Sequence, residues 1–139
     1  MEYNLDRFVE AQHHIYSVAL KEIKNGRKTS HWMWFIFPQL DGLGYSDMAK
    51  KFAIRDISEA EAYLNHPILG NRLIEITKTL NGLGNLSAEE IFGGIDAVKL
   101  RSSMTLFATL KNINPVFETV LIKFFDNEKD SSTLALLNK

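Results

Sequence analysis

The side chains with the most chemical capacity fall in two short stretches. The first, Gly26 to Gly44, reads GRKTSHWMWFIFPQLDGLG and contains both tryptophans of the chain, Trp32 and Trp34. It also carries the adjacent cations Arg27 and Lys28, the polar groups Ser30, His31 and Gln39, and the carboxylate of Asp41. Arg27 offers a planar fork suited to phosphate or carboxylate, with Lys28 as a neighbouring point charge. The same two cations follow the end of an expected helix, where the carbonyl ends favour positive charge, so a structural role competes with an anion clamp. His31 has the chemistry of a general acid or base, or of a phosphate donor, although a lone histidine serves as well as a structural donor. Trp32 and Trp34 would share a face and stack on a planar ligand if the segment were extended. On a helix they would diverge by about 200°. Core packing is the usual fate of tryptophan, and that reading stands beside the stacking one.

The second stretch, Asp96 to Thr105, reads DAVKLRSSMT. On a helix, Lys99, Ser102 and Ser103 lie three and four positions apart and share a face, with Asp96 one turn before Lys99. Leu100, Met104 and Phe107 take the core side, so the polar stripe either faces solvent or points into a pocket. The order Lys-x-x-Ser, without a second motif, does not match a Ser–Lys nucleophile. If the two stretches form one site, Asp96, His31 and Lys99 are the catalytic candidates, with Asp41 as a second carboxylate. Arg27, Lys28, Ser30, Trp32, Trp34, Gln39, Arg101, Ser102, Ser103 and Thr105 are the ligand-binding candidates.

Several chemistries are excluded or disfavoured. The chain has no cysteine, which rules out disulfides, thiolate catalysis and cysteine-ligated zinc. His13, His14 and His66 lack metal-binding spacing around His31, and no metal site or cofactor is expected. Gly42-Leu-Gly44 and Gly82-Leu-Gly84 lack the rest of a phosphate-binding loop and read as turns. A net charge of −1 gives no global field for nucleic acid or an anionic membrane.

At 139 residues, 45% of them hydrophobic and 24% charged, the chain suits one globular domain spanning residues 1–139. The opening MEYNLDRFVEAQ lacks the apolar core of a signal peptide, and Trp32 to Phe37 is too short to cross a bilayer. A soluble, cytoplasmic protein is expected.

Positioning elements follow from periodicity. Phe8, Ala11, Ile15, Ala19 and Ile23 predict one helix from an Asn4 cap to about residue 25, ended by Gly26. The run from Trp32 to Phe37 is apolar on every face and fits a short strand or a buried helical turn. Ser46 and Asp47 start a short helix carrying Met48 and Phe52. Ser58-Glu-Ala-Glu61 reads as a capping box, Pro67 as a first helical residue, and Ile68 to Leu80 as an amphipathic helix ended by Gly82. A second capping box, Ser87 to Glu90, opens a short helix stopped by Gly93-Gly94. Asp96 caps a helix with Val98, Leu100, Met104, Phe107 and Leu110 inward. Asn114-Pro115 starts another, and Asp130 with Ser131 and Ser132 a last one. The fold expected is mainly α, a single compact domain of about six to eight helices with at most one short extended aromatic segment.

The two polar motifs, together with EAEAYLNHPILGNRL and the terminal DSSTLALL, resemble the bacterial domain-of-unknown-function family 1810. Its members are sometimes labelled calpastatin-like, a label at odds with a compact, aromatic-rich, non-repetitive chain. The resemblance covers nearly the whole chain and implies a mainly helical single domain, with no activity to transfer. A more distant similarity links the aromatic–polar segment, Leu69-Gly-Asn-Arg72 and the late lysine-bearing helix to NADAR-type domains. That similarity implies action on N-glycosidic bonds of ribosyl phosphates or ADP-ribose. The function expected is therefore a small-molecule pocket for a nucleotide-like ligand, with N-glycosidic hydrolysis as its catalytic form. The alternative is a protein-interaction module that uses the Trp32–Phe37 segment. Ligand identity and oligomeric state stay open.

Overall fold

The computed structural model describes residues 3–111 and 113–139. Ten helices occur among them: α1 (Asp6–Gln12), α2 (Tyr16–Lys24), α3 (Met33–Ile36), α4 (Asp47–Lys51), α5 (Ile57–Asn65), α6 (Leu69–Asn81), α7 (Ala88–Phe92), α8 (Gly94–Ala108), α9 (Val116–Phe125) and α10 (Ser131–Leu137). The described residues hold no strand, only one isolated parallel bridge between Leu40 and Ile54. The mainly α expectation is met. The helices outnumber the six to eight expected because one long amphipathic pattern is divided and a helical turn forms in the aromatic run.

α8 is the axis of the molecule. Every residue from Ser102 to Phe107 is buried, as required of a helix covered on all sides rather than along one stripe. α7, α9 and α10 pack along it, α5 touches it, and α6 is held between α2, α5 and α9. Tilted and edge-on rings link these layers: Phe8 meets Tyr63 at 5.0 Å, Tyr63 meets Phe107 at 5.7 Å, and Phe107 meets Phe117 at 5.6 Å between centroids. Val98, expected inward, is 62% exposed. The first turns of α8 turn Ala97 and Leu100 inward instead, at 2% and 0% exposed.

Local signals succeed where the cap partner is close in sequence. Ser46 caps α4, Ser87 and Glu90 form the reciprocal box of α7, and Asp130 caps α10 through the Thr133 N–H. Gly26 adopts φ +77°, the left-handed conformation expected after a helix. Elsewhere, distant contacts redirect the caps. α1 and α2 are separate helices broken at residues 13–15, and Asn4 does not cap α1 with its side chain. The α5 cap is Asp56, not Ser58. Glu59 turns back to accept from the Arg55 N–H at 2.7 Å and from Arg7 at 3.1 Å. His66, rather than Pro67, prepares α6: its Nδ1 accepts from the N–H groups of Ile68 and Leu69 at 3.1 and 3.3 Å. α8 starts at Gly94, after Gly93 at φ +81°, so Asp96 lies within its first turn and does not cap it. Asn114 contributes through Oδ1, which accepts from the Val116 N–H at 3.0 Å beside Pro115.

Candidate functional site

The aromatic motif is shaped by a residue outside it. Glu22, near the end of α2, accepts from the N–H groups of Thr29 (2.7 Å) and Ser30 (3.0 Å), the Ser30 hydroxyl (2.6 Å) and the Trp32 indole N–H (3.0 Å). Partial burial pushes its carboxyl up, but these bonds from Ser30, Thr29 and Trp32 outweigh that effect and hold it at about 2. Their geometry folds the segment after Gly26 back on α2 and delivers Trp32 to the core. Trp32 is 0% exposed, with Phe37 at 6.1 Å and Phe92 at 6.4 Å. No ring face is left for a ligand, which corrects the stacking role expected of Trp32. Ser30 is likewise engaged with Glu22.

From Met33 the chain makes the single turn of α3, which resolves the strand-or-helix ambiguity in favour of helix. The consequence is the expected divergence of the two tryptophans. Trp32 points inward, while Trp34 is partly exposed beside Lys99, whose ammonium lies 5.4 Å from its ring centroid. That contact has the geometry of a cation–π pair.

The two polar motifs meet here. Asp96 presents Oδ2 to Lys28 at 2.9 Å and Oδ1 to Lys99 at 3.6 Å. Lys28 also donates to the Ser30 carbonyl at 2.5 Å and lies 5.0 Å from the Trp32 ring. One carboxylate thus fixes two ammonium groups, each against a tryptophan. Trp34, Gln39 and Lys99 pack closely with Met33, Phe37, Ala49 and Phe52, leaving about 10 Å³ between them. Gln39 and Lys99 also form the edge of an open cleft of about 400 Å³, shared with Leu43, Gly44, Ile95, Val98, Ser102, Asp130 and Ser132.

The remaining candidates are dispersed. Arg27 and His31 are exposed and line neither space. Arg101 donates to the carbonyls of Glu128 (2.7 Å) and Lys129 (3.1 Å), anchoring the segment before α10. The Thr105 hydroxyl oxygen accepts from the Asp130 N–H at 2.9 Å on the same structural errand. Ser102 reaches the cleft but donates to the Val98 carbonyl at 3.2 Å. Ser103 is fully buried, and its hydroxyl has no hydrogen-bond partner. Asp41 belongs to a different cleft, near Arg7. Among the described residues no group of three or more histidine, aspartate or glutamate side chains is arranged to hold a metal.

Sequence reasoning missed three organising residues. Glu22 gives no signal because its partners lie seven to ten positions away, beyond the reach of helical periodicity. Gln12, buried at the end of α1, donates to the Phe35 carbonyl (2.7 Å) and the Tyr63 hydroxyl (3.1 Å), and accepts from Arg72 (3.2 Å). Arg7 donates to the carbonyls of Asn4, Lys51 and Ala53 and to Glu59. Tyr16, the first residue of α2, donates to the Arg72 carbonyl and to the Glu75 carboxylate. Burial, first, and the Glu75 hydrogen bond raise the Tyr16 phenol well above its ordinary value.

A single helical domain with a clamped lysine pair beside an open cleft is thus the class that fold and site define. The chain belongs to the family described as "Protein of unknown function (DUF1810)", which matches residues 2–137. Among solved structures it is similar to the conserved hypothetical protein Rv1873 from Mycobacterium tuberculosis, at 47% sequence identity and a TM-score of 0.97. That match covers 99% of this chain and 98% of the other. No curated protein matches the chain. No helix among the described residues is long and apolar enough to cross a membrane.

Proposed function

We propose that this protein binds a small, anionic, nucleotide-derived molecule of the ribosyl-phosphate class in the cleft edged by Gln39 and Lys99. The observation that carries the proposal is the convergence of the two polar motifs on Asp96, which positions Lys99 between Trp34 and the cleft. A space of about 400 Å³ falls in the range typical of ligand sites, about 300–1,000 Å³. Leu43, Ile95 and Val98 supply apolar wall, while Lys99, Gln39 and Ser102 supply oriented polar groups.

The proposal is of binding rather than hydrolysis. His31 and Asp96 do not line the cleft, and Asp96 acts by holding Lys99 in place. Asp130, the carboxylate that does line it, accepts from the N–H and hydroxyl of Thr133 at 2.9 and 2.6 Å as the cap of α10. Burial of Trp32, Met33, Phe35, Ile36 and Phe37, each at most 6% exposed, weighs against the aromatic run as a docking patch.

Thermal stabilisation against ADP-ribose, NAD and ribose phosphates tests the reading, because a ligand bound only by the folded chain raises the midpoint by mass action. A rise with at least one member is expected, lost in Lys99→Ala and retained in Arg27→Ala. No rise at millimolar ligand, or one indifferent to Lys99, overturns the proposal.

A further inference from the structure

The cleft edged by Gln39 and Lys99 holds a second charge, of opposite sign. Among the described residues that line it, Lys99 and Asp130 alone are charged. They arrive from different elements, Lys99 from α8 and Asp130 from the residue just before α10. A site offering only positive charge would take inorganic phosphate and a phosphorylated sugar alike. A carboxylate beside the cation repels the bare anion and favours a ligand that brings hydrogen-bond donors with its phosphate.

Only one oxygen of Asp130 is in use. Its Oδ2 accepts from the N–H and the hydroxyl of Thr133 at 2.9 and 2.6 Å, while Oδ1 accepts no hydrogen bond among the described residues. Each oxygen of an ionised carboxylate can accept about two hydrogen bonds, so Oδ1 keeps its full capacity. The carboxylate is also held in place. The Asp130 N–H donates to the hydroxyl oxygen of Thr105 at 2.9 Å, and Arg101 donates to the carbonyls of the two preceding residues, Glu128 (2.7 Å) and Lys129 (3.1 Å). Thr133 is 0% exposed, so water does not compete for its grip on Oδ2. An acceptor fixed before the ligand arrives loses less freedom on binding. Arg101 and Thr105 therefore serve the cleft as positioning residues, acting through Asp130.

We propose that Asp130 is the specificity-determining residue of this cleft, its free oxygen accepting from the ring hydroxyls of a ribosyl phosphate whose phosphate lies toward Lys99. The inference rests on the ribosyl-phosphate reading of the cleft and adds what selects the sugar. A hydroxyl donating to a carboxylate makes a charge-assisted hydrogen bond, stronger than one between neutral groups. An ammonium group on the ligand, the other natural partner of a carboxylate, would be opposed by Lys99 in the same space.

Calorimetric titration of the full chain with two probes tests it: ribose 5-phosphate, and tetrahydrofurfuryl phosphate, which has the five-membered ring and the phosphate but no ring hydroxyls. The wild type should bind ribose 5-phosphate at least about tenfold more tightly. Asp130→Asn removes the charge and keeps a good cap for α10, since asparagine ranks with aspartate at that position. It should abolish the preference by weakening ribose 5-phosphate, while the hydroxyl-free probe binds as well or better because a like charge has gone. Lys99→Ala should weaken both probes. Thermal midpoints without ligand report whether Asp130→Asn is folded, and the wild-type preference is read without any variant. Equal affinity of the wild type for the two probes, or equal weakening of both by Asp130→Asn, overturns the role of Asp130 and leaves the Lys99 cleft standing. No saturable binding of either probe at millimolar concentration, or binding indifferent to Lys99→Ala, overturns the reading of the cleft and this assignment with it.

Discussion

Replacement of Glu22 by glutamine isolates the charge at the centre of the aromatic motif while nearly preserving its shape. In Glu22→Gln the amide oxygen can still accept from Thr29, Ser30 and Trp32, and the amide nitrogen replaces the oxygen that meets the Ser30 hydroxyl. What disappears is the charge assistance of those bonds. A carboxyl held at about 2 instead of the ordinary 4.5 corresponds to about 3.4 kcal/mol at about 1.36 kcal/mol per pKa unit. Glu22 is only partly buried, and solvent screening reduces the realised stabilisation to about 1–2 kcal/mol. For a domain of this size that is a fall of about 3–8 °C in Tm. The sign of the pH dependence follows from the lowered value. Stability from Glu22 is fully present above the ordinary carboxylate pKa and is lost as pH falls through about 2. Denaturant unfolding, followed by tryptophan fluorescence at neutral pH and at steps down to the acid limit of folding, provides the assay. The gap between the wild type and Glu22→Gln should be constant above about pH 5 and narrow below it. A variant equal to wild type at neutral pH, or a gap that ignores pH, would refute the assignment of Glu22 as the charged anchor.

Two further substitutions probe the helix contacts around the site. A Cβ at Gly70 would lie 2.0 Å from the Leu64 carbonyl oxygen, where backbone of α5 leaves no room. Gly70→Ala should cost about 3 kcal/mol or more in chemical denaturation, the upper end of overpacking effects; a near-neutral result would mean that α5 and α6 do not meet so closely. Gln12→Ala removes the donor to the Phe35 carbonyl and the acceptor of Arg72. Stranding buried polar groups should lower stability by about 2–3 kcal/mol, and an unchanged urea midpoint would count against the network.

Much of the helical layout was legible from the chain alone, and the reasons are local. Ser87 and Glu90 sit three residues apart and can satisfy each other's backbone partners without outside help. The stripe from Leu69 to Leu80 is a periodic signal strong enough to survive any tertiary context. Failures cluster where a distant side chain competes. The long helix expected from Asn4 is interrupted just after Gln12, whose amide bonds to α3 and α5. The Ser58 box yields to Asp56 because Glu59 is drawn to Arg7, far away in sequence. The candidate site shows the same division. The motifs carrying Lys28, Asp96 and Lys99 are visible in the sequence, but residue type alone does not separate them from Arg101 and Thr105, which brace the segment before α10.

Composition, charge and periodicity by themselves determined a cysteine-free, near-neutral, mainly helical domain with two chemically dense motifs. Those properties depend on residue type and on neighbours within about one or two helical turns. Only the tertiary structure decided that Trp32 is core and Trp34 is not, because one helical turn rotates them apart and Glu22 captures the first. It alone brought Lys28 and Lys99 onto the two oxygens of Asp96. It also brought Asp130 to the cleft of Lys99, a juxtaposition set by how α10 packs on α8. Charge is written residue by residue, but which charges share one cleft is a matter of packing.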